Sequence, residues 1–184
     1  HRYLNKEQGM TIRHTSLGAA VTALLVAPHA GFAGGLTANA AVSNNYIWRG
    51  LTQTQNEAAI SGGVDFVADV GFYIGSWASN VEYAPGDVYS YEHDVYFGYS
   101  GGESVTYDIG YLYYNYDALA EFDFGEVYAS IGVGGFSAKL SLLANTEADE
   151  GPAQDFGFGE ATYISLDYAV PLRNDLTLGI HAGR

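Results

Sequence analysis

The sequence predicts an all-β protein, an antiparallel up-and-down β-barrel of the kind that crosses a membrane. Three observations carry that expectation. After residue 34, apolar residues recur at every second position, the period of strands and not of helices. The connections between these runs alternate between short and long, the rhythm of barrels with short inner turns and longer outer loops. Charged residues are only 15% of the chain, where a soluble domain carries about 25%, although the mean hydropathy is −0.01.

The first 33 residues are read as lying outside this fold. From Met10 the chain runs MTIRHTSLGAAVTALLVAPHAGFA, with basic Arg13 ahead of the apolar stretch Leu17 to Ala27 and small residues at Gly31-Phe32-Ala33. An apolar run this short does not span a bilayer as a helix, and the pattern is that of a cleaved secretory signal peptide at 10–33. Residues 1–9 read as an extension upstream of the true start. The barrel is then expected over 34–184, with 4 basic residues (Arg49, Lys139, Arg173, Arg184) against 20 acidic ones.

Nine strands are expected, near 36–49, 58–69, 71–80, 90–99, 103–115, 124–133, 135–143, 158–170 and 175–184. In the first, Leu36, Ala38, Ala40, Val42, Tyr46 and Trp48 alternate with Thr37, Asn39, Ser43, Asn45 and Arg49. The fifth sets Val105, Tyr107, Ile109, Tyr111 and Tyr113 against Thr106, Asp108 and Gly110. The sixth sets Val127, Ala129, Ile131 and Val133 against Glu126, Tyr128, Ser130 and Gly132. In the seventh, Phe136, Ala138, Leu140 and Leu142 oppose Ser137, Lys139 and Ser141. In the ninth, Leu176, Leu178, Ile180 and Ala182 oppose Thr177, Gly179 and His181. The alternation is less clean in 58–68, 91–99 and 160–170, and 72–80 is ambiguous in phase. Short turns fall at Val70-Gly71, Ser100-Gly101-Gly102, Gly134-Gly135 and Arg173-Asn174-Asp175, with the residue types that tight turns require. Longer loops fall near 50–57, 81–90, 116–123 and 144–157. Single-chain barrels have even strand counts, so an odd count leads to the expectation that further strands follow Arg184.

Interfacial aromatic girdles belong near strand ends. Tyr46, Trp48, Trp77, Tyr114, Tyr116, Phe124 and Phe158 are expected at the long-loop end, and Phe72, Tyr73, Tyr99 and Phe136 at the short-turn end. A soluble β-sandwich also alternates, but it does not account for the loop rhythm or for the low charge of the apolar positions.

Several segments resemble the TorF-type porins, a family of proteobacterial outer-membrane proteins. They are YIWRGLTQT (46–54), GFYIGSWASNVEY (71–83), EHDVYFGYSG (92–101), YDIGYLYYNY (107–116) and GEVYASIG (125–132). The tightest parts are Trp48-Arg49-Gly50 with Gln53-Thr54, and Trp77-Ala78-Ser79-Asn80-Val81. The resemblance covers about 38–143 and implies an outer-membrane barrel with a channel role. It implies no substrate and no catalytic residues.

The polar set expected to line the inside is Asn39, Asn45, Arg49, Asp65, Glu92, Asp94, Asp108, Glu126, Lys139, Glu160, Asp167 and His181. Arg49 and Lys139 are expected to clamp carboxylates there, since a charge taken out of water needs a partner. Seven carboxylates against two cations favour cations over anions in a polar bore. The expected function is passive diffusion of small hydrophilic solutes or ions across the outer membrane, leaning toward cations. A closed barrel with a structural or surface-binding role is the alternative, because a small barrel is filled by its own side chains.

Other chemistries find little support in the residues. The absence of cysteine removes thiol catalysis and thiolate metal sites. No basic patch exists for nucleic acid. A lipid hydrolase needs a serine, a histidine and an orienting group together; His181 is the inward-facing histidine, but no motif selects a serine for it. The acidic loops holding Asp117, Glu121 and Asp123, and Glu147, Asp149, Glu150 and Asp155, lack a calcium-loop spacing and read as solvated charge. No enzyme, metal or cofactor is expected. The expected partners are outer-membrane lipids and the solute itself.

Overall fold

The computed structural model describes residues 34–173 and 176–184. The expected upstream extension and signal peptide, and Asn174-Asp175 of one expected turn, lie outside the described residues. Within them every regular element is a strand.

The strands are β1 (Gly35–Ser43), β2 (Ile47–Trp48), β3 (Leu51–Thr52), β4 (Ala59–Val67), β5 (Phe72–Asn80), β6 (Tyr91–Gly102), β7 (Val105–Tyr116), β8 (Phe124–Val133), β9 (Phe136–Thr146), β10 (Thr162–Arg173) and β11 (Leu176–Gly183). Nine of them form one antiparallel sheet in the order β1-β4-β5-β6-β7-β8-β9-β10-β11, and β2-β3 form a separate hairpin. Each main strand pairs with its neighbour in sequence, so all long connections are simple up-and-down links. β1 and β11 stand at the two edges and are not paired with each other. The nine-stranded meander is thus observed as an open sheet, not a closed barrel.

The largest departure from the expected strand boundaries is at strand one. Strand one was expected to run to Arg49; it stops at Ser43, and 44–56 folds as its own hairpin. Arg49 and Gly50 both have positive φ, 48° and 85°, the requirement of a tight two-residue hairpin turn of the I′ kind. A continuous strand cannot pass through two such residues.

The two faces of the sheet differ sharply. Cross-strand partners share a face, so the register Asp65↔Gly75↔Tyr96↔Leu112↔Glu126 traces one of them. That face holds most of the buried side chains, among them Tyr73, Tyr96, Leu112, Tyr114, Tyr116 and Tyr128. The other face carries Leu36, Val42, Ile60, Phe66, Ile74, Phe97, Ile109, Ile131, Ile164 and Leu178, all exposed; Ile109 is 55% exposed. The sheet curls around the buried face. The hydroxyls of Tyr73 on β5 and Tyr128 on β8 are hydrogen-bonded across two intervening strands.

Tyrosine and glycine alternate across the ladders of this inner face. Tyr73 pairs with Gly98, Tyr96 with Gly75, and Tyr128 with Gly110. Each ring lies over its partner glycine, where a Cβ would collide with it. Glycine here makes the room that lets large rings lie flat on a tightly curved wall.

Candidate functional site

The site grows from the hairpin at 44–56. Asn45 sets its shape: its Oδ1 accepts from the hydroxyls of Thr52 (2.7 Å) and Thr54 (3.2 Å), and its Nδ2 donates to Asn56 Oδ1 at 3.0 Å. The Gln53 amide closes the loop onto the Tyr46 carbonyl at 2.7 Å, and the Glu82 amide ties it to Gln53 at 2.8 Å. The hairpin lies against the inner face of the sheet. Its side chains take positions there that the strands alone leave empty.

Arg49 occupies the hairpin tip. Its Nη1 and Nη2 donate to Glu126 Oε1 and Oε2 of β8 at 2.7 and 2.6 Å, a two-pronged ion pair. The guanidinium carbon lies 4.2 Å from the Trp48 ring centre and 4.3 Å from that of Tyr163 on β10. Only arginine can do both at once, because its plane stacks while its edge forks to a carboxylate. Tyr46 reaches the other way: its hydroxyl donates to Glu92 Oε1 of β6 at 2.6 Å, and its ring meets Trp77 of β5 edge-on at 5.4 Å. The short hairpin thus bridges the inner face from β5 and β6 to β8 and β10.

Below it runs a second polar layer. Tyr116 donates to Glu92 Oε2 at 2.8 Å, Tyr73 donates to Asp108 Oδ1 at 2.6 Å, and the Tyr96 hydroxyl bonds Asp65. The Lys139 Nζ rests 3.9 Å from the centre of the Tyr128 ring. Farther round, His181 Nδ1 meets Asp167 Oδ1 at 2.6 Å, and Nε2 meets the Tyr163 hydroxyl at 3.3 Å.

Most of the residues expected to line the inside lie on one face of the open sheet, the one it curls around. Asn39 faces Gly63, and Thr37 faces Asp65, on the inner side of the edge strand β1. Asp65, Glu92, Asp94, Asp108, Glu126, Lys139, Asp167 and His181 share that face. Three expectations are corrected. Asn45 does not line a strand; it orders the hairpin. Glu160 precedes β10 and is exposed in a turn, because the strand starts only at Thr162. Among the described residues Lys139 has no carboxylate within ion-pair distance; its Nζ lies over a tyrosine ring instead.

The aromatic girdle is corrected more heavily. Phe72, Tyr99 and Phe136 do face outward at the short-turn end. Tyr73, Trp77, Tyr114 and Phe124 face inward, because their register partners are the inner residues Gly98, Asp94, Asp94 and Tyr114. Tyr46 and Trp48 sit in the hairpin and pack inward, Trp48 against Tyr114 at 5.8 Å and Phe124 at 6.4 Å. These six rings form the packing of the site, not a membrane-facing belt. Tyr91 is exposed on the outer face at the long-loop end, and Phe158 is exposed in the connection between β9 and β10.

Histidine and serine do meet, but on the opposite face. Ser76 Oγ lies 2.8 Å from His93 Nε2. Among the described residues no carboxylate or amide is hydrogen-bonded to the other nitrogen of that ring, so the third member of a hydrolytic triad is not in place. His181 is hydrogen-bonded to Asp167 and Tyr163 and, among the described residues, to no serine. A shallow hollow of about 430 Å³ lies between Phe72, Phe97, Tyr99, Ile109, Tyr111 and Val127. It belongs to the apolar outer face and not to the polar network.

Sequence reasoning missed the hairpin and the roles of Tyr46, Trp48 and Tyr163. The readable signal was Arg49-Gly50 between Ile47-Trp48 and Leu51-Thr52, a hairpin cue masked by an alternation that continues up to it.

No curated protein and no solved structure matches the chain. A family model matches residues 27–184, and the chain belongs to that family, described as bacterial proteins of unknown function (Gcw_chp).

Proposed function

We propose that the sheet is the wall of an outer-membrane β-barrel. Small hydrophilic solutes, cations ahead of anions, diffuse along its polar inner face, and the 44–56 hairpin forms the narrow point. The observation that carries this reading is the division of the sheet. Large apolar side chains crowd an exposed face, while carboxylates and tyrosine hydroxyls line the enclosed one. Water-soluble proteins rarely expose so continuous an apolar surface, and a lipid-facing wall requires it. Lipids of the outer membrane are then the partners of one face and the solute is the partner of the other. Excess negative charge on the inner face supports the cation preference.

A second reading has one specific observation in its favour. Arg49 bridges to both Glu126 and Tyr163, so the hairpin occupies part of the inner space. If it fills the rest, the protein is a closed barrel whose outer loops carry its role. Conductance of the refolded chain in a planar bilayer separates the two: discrete cation-selective steps support the channel, and a folded, silent protein supports the closed form.

A further inference from the structure

The two halves of the inner face present different charges. Toward the long loops, Glu92, Asp94 and Glu126 are buried, so a solute in water does not touch them. Toward the short turns, Asp65, Asp108, Lys139 and Asp167 are only half-buried. The charge that meets water on this wall is therefore a mixture, and less negative than the full count of inner carboxylates.

Register brings the mixture together. Asp108, Ser130 and Lys139 stand side by side on β7, β8 and β9. One row nearer the short turns, Gly132, Ser137 and Asp167 stand side by side on β8, β9 and β10. Neighbouring strands lie about 4.8 Å apart, so the backbones at Asp108 and Lys139, with one strand between them, are separated by about 10 Å. The residues between the charges are serines and a glycine, too short to fill that span.

The charged groups are held but not used up. Among the described residues Lys139 has no carboxylate within ion-pair distance, and its Nζ lies 3.9 Å from the centre of the Tyr128 ring. The Tyr128 hydroxyl is hydrogen-bonded to that of Tyr73, which donates to Asp108 Oδ1 at 2.6 Å. One buried tyrosine pair thus fixes both the ammonium and the carboxylate. Asp167 Oδ1 meets His181 Nδ1 at 2.6 Å, and the Asp167 side chain keeps 45% of its exposure. Asp108 Oδ2 and Asp167 Oδ2 have no protein donor among the described residues.

We propose that this stretch of the inner wall selects zwitterionic solutes of the amino-acid kind, with Lys139 taking the carboxylate and Asp108 or Asp167 taking the ammonium. A simple cation is attracted by the carboxylates and repelled by Lys139, and a simple anion meets the reverse. Only a solute carrying both charges gains from both sides. The inference names the solute class of the channel reading and rests on it for transport; binding itself needs only that the inner face meets water.

Saturation-transfer NMR on the refolded chain in detergent tests it, with β-alanine, propionate, ethylammonium and propionamide as probes of similar size. β-Alanine should saturate at a concentration about 5-fold below propionate or ethylammonium, the scale of one partly exposed charge contact. Lys139→Gln should move the preference to ethylammonium, and Lys139→Arg should keep the parent order. Asp108→Asn combined with Asp167→Asn should move it to propionate, and this variant decides if Lys139→Gln does not fold. The proposal is overturned if no probe saturates, if propionamide or propionate binds as well as β-alanine, or if the charge variants keep the parent order. A chain that conducts in a bilayer without this order keeps the channel and loses the site. A silent chain that shows the order keeps the site and loses the channel.

Discussion

Arg49 and Glu126 are 77 residues apart in sequence, yet the guanidinium fork grips the carboxylate with bonds of 2.7 and 2.6 Å. The contact fastens a two-residue turn with positive φ at Arg49 to the middle of the sheet. A non-glycine residue in that backbone region costs energy that the surroundings must offset. The ion pair and the two flanking rings supply the offset.

Arg49→Ala therefore leaves Glu126 enclosed without its cation. The expected loss is about 3 kcal/mol, toward the lower end for buried pairs because the Arg49 side chain keeps 20% of its exposure. Urea unfolding in detergent measures it. Adding Glu126→Gln to Arg49→Ala should recover part of the loss. Strictly additive effects would mean that the pair contributes no coupling.

Gly98→Ala tests the tyrosine-over-glycine packing. A methyl there meets the Tyr73 ring and the backbone carbonyl of Ile109. Because backbone cannot step aside, about 1–3 kcal/mol should be lost, the usual cost of overpacking. Gly86→Ala is the control: its neighbourhood is open but its φ is 73°, so any loss there is backbone strain alone. Equal losses at both positions would remove close packing as the cause.

The outer face can be tested for lipid contact with Ile109→Arg. A charge on a lipid-facing strand costs roughly 2–4 kcal/mol at mid-depth and little near the interface. Folding into vesicles should fall while Asp108→Ala, one residue away on the inner face, folds into them nearly as well as the parent. The reverse order would assign the faces wrongly.

Asp117 links the two loops that flank β6 and β7. Its carboxylate accepts from the amides of Ser90 (2.6 Å) and Tyr91 (3.1 Å) and from the Ser90 hydroxyl. Slight burial works against its charge, but these hydrogen bonds outweigh it and hold the group below the ordinary aspartate range. Since the folded value is the lower one, the contribution is present above the unfolded value and is lost as pH falls through the folded one. The protection factor of the Ser90 amide, its exchange rate divided into the intrinsic rate at the same pH, should be high at neutral pH and fall in strong acid, and Asp117→Asn should lower it at neutral pH.

Much of this was legible in the sequence, for a physical reason. Strands between two different environments must alternate, and Val105 to Tyr113 or Leu176 to Ala182 have no other use for that period. Face assignments on β7 to β9 and β11 followed directly. The hairpin was not legible, because Tyr46 and Trp48 continue the alternation of β1 in sequence although the backbone has already left the sheet after Ser43. The girdle failed for a related reason. Position along a strand says how near an interface a ring lies, but only register says which side it takes, and Tyr73, Trp77 and Tyr114 take the inner side. Pairings such as Arg49 with Glu126 or Tyr46 with Glu92 depend on curvature, which composition and period do not encode.

The most direct test of the channel account is single-channel recording of the refolded chain in a planar bilayer under a salt gradient. The account predicts discrete steps with a reversal potential of cation-selective sign, weakened selectivity in Asp108→Asn, and larger steps in Arg49→Ala, where the hairpin is released. A chain that is folded and inserted but silent, with Arg49→Ala equally silent, would contradict it.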